Sequence, residues 1–130
     1  MGSIEIPDLD TLVQPLLGTP YQPRYCFDLA RDLIFQGFGL RLDESPNQVH
    51  EHFMEIWYRE DSVDPLRLIR PWDALVMFDR ATLPVSTHVG LALDAERFVH
   101  ARDTSTGVAI EKTQRYRSKL LQIARLRRLL

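Results

Sequence analysis

Thr87-His88-Val89-Gly90-Leu91-Ala92-Leu93, Asp94-Ala95-Glu96 and Arg97-Phe98-Val99-His100-Ala101 form the stretch on which the fold turns. The outer runs are short and rich in apolar residues, and they read as two strands of a hairpin with the acidic triplet as its loop. In the first run the even positions are His88, Gly90 and Ala92, and the odd positions Val89, Leu91 and Leu93 face another apolar layer. Small Gly90 and Ala92 predict that a helix packs closely over the face bearing His88. In an antiparallel pair, directly opposed residues point to the same side. A two-residue loop, Ala95-Glu96, sets His100 opposite Leu91 and away from His88. A three-residue loop sets it opposite Gly90, diagonally beside His88 and within reach. Two imidazoles on one face therefore require an odd loop or a bulge.

Upstream lies the only cysteine, Cys26. It follows a loop, Gly18 to Arg24, with two prolines and Tyr21. It begins a pattern of Cys26, Phe27, Leu29, Ala30, Leu33 and Ile34 that has the period of an amphipathic helix. Gly37 and Gly39 are its expected stops. A thiol in the first turn meets N–H groups without helical partners and the positive end of the dipole, which favours thiolate. By itself a lone cysteine is a small buried hydrophobe. With His88 and His100 downstream, it has a base and a third group to orient that base.

The remaining chain fills in around these parts. Leu9 to Leu17 has helical spacing, limited by Pro15. Leu40 to Pro46 is polar and turn-like. Asn47 is placed to cap a helix from Gln48 to about Glu60, with Val49, Phe53, Ile56 and Trp57 as its buried stripe. His50 and His52 would point about 200° apart on that helix, so they cannot share a metal ion. Asp61 to Pro71 is a linker. Ala74 to Phe78 reads as a strand buried on both faces, Asp79 to Pro84 as a turn, and Asp103 to Gly107 as another turn. Val108 to Ile110 is a strand, Thr113 to Arg117 a helical turn, and Leu120 to Leu126 the last strand. Helices first and an antiparallel sheet later is an α+β plan, with N-terminal helices packed on a C-terminal sheet.

The totals narrow the function. With 130 residues, 45% hydrophobic and 26% charged, the chain suits one domain, 1–130, with residues 1–15 as an N-terminal extension. No apolar run approaches the roughly 20 residues of a membrane span. Met1 to Asp10 lacks the basic and apolar parts of a secretory signal. A net charge of −2 gives no drive toward nucleic acid. No metal or cofactor is expected. After Glu111 every charged residue is basic, from Lys112 to Arg128, which predicts a solvated face or a meeting with an anionic partner.

The ordered set of Leu17-Gly18-Thr19-Pro20-Tyr21, Cys26, Trp72-Asp73-Ala74-Leu75-Val76-Met77-Phe78, the hairpin, and Gly107-Val108-Ala109-Ile110-Glu111 resembles the NlpC/P60 cysteine peptidases. The resemblance covers nearly the whole chain from Leu16. It implies a papain-like fold, with Cys26 as nucleophile, His88 as general base and His100 as the orienting third residue. It places Tyr21, with Tyr25 beside the nucleophile, on the oxyanion and substrate-binding side. It implies peptidoglycan stem peptides as substrates, commonly cut between D-γ-glutamate and diaminopimelate. The chain departs from the family in three places. Tyr25 precedes the cysteine where aspartate is usual, the Gly-Gly stretch before the nucleophile is missing, and Trp72 stands before Asp73 where the family has glycine. The lean Cys26-Phe27-Asp28-Leu29-Ala30-Arg31 sequence most resembles versions encoded with bacteriophage tail proteins. That implies synthesis in the host cytoplasm, delivery in the virion and tail tip or baseplate partners, with the bacterial cytoplasm as the alternative location. A structural tail subunit of the same fold and an acyltransferase or amidase on another substrate are the rival expectations.

Overall fold

Every strand pairing in the sheet is antiparallel, in the order β1-β6-β2-β3-β4-β5. These strands are β1 (Phe53–Tyr58), β2 (Ala74–Phe78), β3 (Thr87–Ala92), β4 (Arg97–Ala101), β5 (Val108–Lys112) and β6 (Leu120–Leu126). The computed structural model describes residues 6–20, 26–42, 52–58, 64–78, 87–102 and 106–130. The helices α1 (Leu9–Val13) and α2 (Cys26–Phe38) precede the sheet. The architecture is thus mixed helix and antiparallel sheet, with strands predominating. Among the described residues no helix is long and apolar enough to cross a membrane.

The two faces of the sheet carry separate cores. On one face α1 and α2 bury Leu9, Val13, Leu29, Leu33 and Ile34 against Leu91, Val99, Ala101 and Val108. On the other, Leu75, Met77, Ala92, Phe98, Leu120 and Ile123 pack with Trp57, Leu66 and Tyr116 from short flanking segments. The residues ahead of the domain are integral to it, since Leu9 and Val13 are buried and the Trp72 indole donates to the carbonyl of Pro7 at 2.7 Å.

The helix expected from Gln48 to Glu60 is corrected in its second half, where Phe53 to Tyr58 form β1 beside β6; His52 is helical, and residues 48–51, 59 and 60 lie outside the described residues. The misleading spacing has a physical origin. A bulge between Glu55 and Trp57 shifts the register, so Phe53 opposes Leu126 of one core while Trp57 opposes Ile123 of the other. An inserted residue in a strand yields apolar positions three and four apart, as a helix does.

Of the two glycines expected to stop α2, only Gly39 does so, at φ +67 and with its N–H on the Phe35 carbonyl. Gly37 lies inside the helix. A Cβ there would come 2.6 Å from Cη2 of Trp72, so glycine is what lets the indole lie against α2.

Trp72 has a φ of 74°, and no other described non-glycine residue has a positive φ. Next to it, Asp73 is fully buried and accepts a two-pronged hydrogen bond from Arg125, at 2.9 Å from Nε and 2.8 Å from Nη2. The same guanidinium donates to the Leu68 carbonyl, and the Arg70 N–H donates to Asp73. One base of the basic C-terminal run is therefore an internal brace rather than part of a solvated face.

Candidate active site

The β3–β4 connection is the three-residue form. Leu91 opposes Val99 and Ala92 opposes Phe98, so by parity His100 faces the same side of the sheet as Gly90 and His88. Asp94 fixes the loop. Its carboxylate accepts the N–H groups of Glu96 and Arg97, both at 2.8 Å, and the Arg97 side chain. Burial would raise the Asp94 carboxyl, but these hydrogen bonds and the Arg97 charge hold it below its ordinary value. Thr113 ties down the loop tip, donating from Oγ1 to the Ala95 carbonyl and from its N–H to Glu96.

That register places both imidazoles on one face, and His88 Nε2 lies 2.7 Å from His100 Nδ1. Both rings are almost fully buried. Around His100, Phe98 packs at a tilt of 48° and Tyr116 edgewise, at 4.7 Å and 5.6 Å between ring centres. His100 Nε2 continues to Glu111 Oε2 at 2.5 Å, and the Tyr116 hydroxyl donates to the same oxygen. Arg102 Nε approaches the other oxygen, Oε1, at 3.3 Å. Burial acts to raise the Glu111 carboxyl, and the hydrogen bonds from Tyr116 and His100 with the charges of His100 and Arg102 outweigh it, so Glu111 is held below the usual carboxylate value.

The close helix predicted over Gly90 and Ala92 is on the other face. Leu91, Leu93 and Val99 meet α2, whereas Gly90 accommodates Phe98, whose Cδ2 would lie 2.6 Å from an added Cβ. Cys26 meets the sheet from the α2 side, where β3 and β4 part. The β3–β4 ladder ends at Leu91 and Val99, while β3 continues along β2 to Thr87 and β4 continues along β5 to Ala101. Where the two strands part, the N–H of Val89 hydrogen-bonds the Cys26 sulfur, one residue from His88. The sulfur thus meets β3 at Val89 from the α2 face, opposite the face that carries the two imidazoles, and no hydrogen bond joins it to His88.

The electrostatics of Cys26 differ from the sequence expectation. The residue is only 7% exposed. Burial pushes the thiol above its ordinary value, and the N–H groups of Val89, Phe27 and Cys26 oppose this without overcoming it, while Asp28 adds repulsion. The helix start does supply N–H groups, as expected, but desolvation dominates. The resting sulfur is a neutral thiol that needs a base.

Tyr21 and Tyr25, expected on the oxyanion side, lie outside the described residues. So does His50. Among the described residues no group of three or more histidine, cysteine or acidic side chains is arranged to hold a metal ion. His88, His100 and Glu111 are joined in series, and the facing nitrogens bind one another instead of converging on a centre. Glu111 and Tyr116 were missed from the sequence because the strand was ended at Ile110. Carried two residues further, the pairing of Glu111 with Phe98 puts the carboxylate diagonally beside His100.

The chain matches no protein-family model, and no curated protein matches it.

Proposed function

We propose that this chain is a cysteine hydrolase of the NlpC/P60 type, with a papain-like arrangement, that cleaves peptide stems of bacterial peptidoglycan and is carried in a phage tail. The observation that carries the reading is the His88–His100 pair at 2.7 Å, set by an odd hairpin loop, beside the strand N–H that holds the Cys26 sulfur. A sulfur, a base and an orienting group in that order are what acyl transfer through a thiol requires.

In the proposed reaction His88 Nδ1 takes the thiol proton, since Nε2 is engaged by His100. The sulfur attacks the stem-peptide carbonyl and forms a tetrahedral intermediate, whose oxyanion meets the backbone N–H of Cys26 at the start of α2. The intermediate collapses to a thioester as the imidazolium returns the proton to the leaving amine. Water, deprotonated by His88, then attacks the thioester, and the carboxylate leaves with the sulfur reprotonated. A neutral resting thiol suits this sequence, because His88 acts as a true general base.

Incubation of the protein with purified peptidoglycan, followed by detection of new amino groups, tests the reading. Cys26→Ser is expected to abolish release, and His100→Ala to cost less than His88→Ala, because His100 transfers no proton to substrate. Release by Cys26→Ser at the wild-type rate would refute the assignment. The burial of the sulfur favours a second reading, a tail or baseplate subunit that keeps the fold without turnover. That reading predicts no release by the wild type and little reaction of Cys26 with thiol reagents at neutral pH.

A further inference from the structure

We infer that Glu111 is a positioning residue of the thiol chemistry: through His100 it fixes the tautomers of both imidazoles, so that His88 turns a lone pair, and not a proton, to Cys26. The inference deepens the hydrolase reading and rests on it for its turnover readout alone.

Glu111 is an ionised carboxylate at neutral pH, and it can only accept. His100 Nε2, at 2.5 Å from Oε2, must therefore carry its proton. In its charged form, which adds its pull on Glu111, both His100 nitrogens donate; in its neutral form His100 has one N–H, so its Nδ1 is then an acceptor. Its partner at 2.7 Å, His88 Nε2, must then donate. His88 in turn has its lone pair on Nδ1, the nitrogen that would receive the thiol proton. One carboxylate thus sets the proton positions of two rings in series.

The surroundings of Glu111 serve that role. The side chain is 7% exposed. The groups facing it are His100 on β4, Arg102 just beyond β4 and Tyr116 on the turn after β5. Tyr116 and Arg102 donate to the carboxylate and keep it charged. Further along the relay, the titratable groups among the described residues include His88 on β3 and Cys26 with Asp28 on α2.

Glu111→Gln tests this with nearly unchanged shape. Arg102 can only donate, so the amide oxygen turns to it and the amide NH2 takes the place of Oε2, facing His100. His100 then accepts at Nε2, carries its proton on Nδ1 and donates to His88, whose remaining proton moves to Nδ1. The base is lost with the rings in place. Nitrogen-15 spectra of the histidine side chains, recorded at a pH where the shifts themselves report neutral rings, should show Nε2–H for both rings in the wild type and Nδ1–H for both in the variant. Alkylation of Cys26 by iodoacetamide at neutral pH should slow by about tenfold or more, as a wrong tautomer does in related triads. The deficit should close as alkaline pH ionises the thiol directly; damage to the fold would persist there. Tyr116→Phe leaves the carboxylate in place, so it should keep the wild-type tautomers at neutral pH and lose them at a higher pH than the wild type does on acidification. An Nδ1–H tautomer of His100 in the wild type overturns the inference. So do unchanged tautomers and an unchanged alkylation profile in Glu111→Gln, or an unmoved acid limb in Tyr116→Phe. If both variants shift as stated and the wild type releases no amines from peptidoglycan, the relay stands and the hydrolase reading alone fails.

Discussion

Replacing Trp72 by glycine should destabilise the protein less than replacing it by alanine, the reverse of the usual order. Trp72 holds a φ of 74°, where a residue with a Cβ is strained by about 1–2 kcal/mol. Its indole is fully buried, lies edge-on to Phe38 at 4.8 Å between ring centres and donates to the Pro7 carbonyl. Loss of a buried tryptophan side chain costs about 3–5 kcal/mol, and the lost hydrogen bond adds about 1 kcal/mol. Both substitutions incur these terms, so both variants should be markedly less stable. They differ in backbone strain, which alanine keeps and glycine removes. At an ordinary element position glycine is the worse residue by about 0.5–1 kcal/mol; here it should be the better by about 1 kcal/mol, because the positive φ reverses the preference. Urea midpoints of the two variants, measured side by side, give the difference while their common losses cancel. If the alanine variant is equally or more stable, the left-handed backbone at Trp72 is not a source of strain.

Two other expectations concern buried charge. Asp73→Ala leaves the Arg125 guanidinium, 7% exposed, without its carboxylate, and should cost about 3–5 kcal/mol in a denaturation midpoint. Adding Arg125→Met should recover much of that; if the double variant is no more stable than Asp73→Ala, an unpaired buried charge is not the cause. The Cys26 thiol has a folded-state value raised by burial above the ordinary 9.0. The folded protein therefore holds this proton when the unfolded chain has lost it. The stability it contributes is complete below about pH 9 and declines as pH rises through the folded value. Cys26→Ala should lack that decline, and a wild-type minus variant difference that stays flat from neutral to alkaline pH would remove burial as the cause.

The hairpin was legible because side-chain parity is a strict rule: loop length alone decides whether His100 joins His88 or Leu91. The loop length itself was left open in the sequence. Asp94, which gathers two N–H groups, is the residue that settles it. The helix start at Cys26 and the strand Leu120–Leu126 fall where their patterns place them. The failures have physical causes of three kinds. In β1 a bulge imitated helical spacing, and no local signal separates the two. At Gly90 smallness was read as room for a helix, but the space is filled by Phe98 from the neighbouring strand, a contact between residues eight apart. At Cys26 the helix dipole was weighed without the desolvation that accompanies packing against Val89. Electrostatics of a buried group depends on everything around it, and sequence spacing reports only its own element.

The rings and the helix belong to opposite faces of the sheet, so helix packing alone cannot join the thiol to the histidines. The junction depends on β3 and β4 separating beyond Leu91 and Val99 while each keeps its outer partner. The separation costs little backbone hydrogen bonding, because the Val89 N–H meets the sulfur. Registry protects the arrangement. A slip of one residue in β4 would send fully buried Phe98 into the α2 layer and Val99 and Ala101 out of it. Displacing a phenylalanine of that kind costs about 1.5–3 kcal/mol before the imidazole contacts are counted. The core residues of the hairpin thus hold the two histidines in place more strongly than the histidines hold themselves. A variant can then lose the chemistry at Cys26 while keeping the fold, whereas moving His100 off its face requires dismantling the core beneath Phe98.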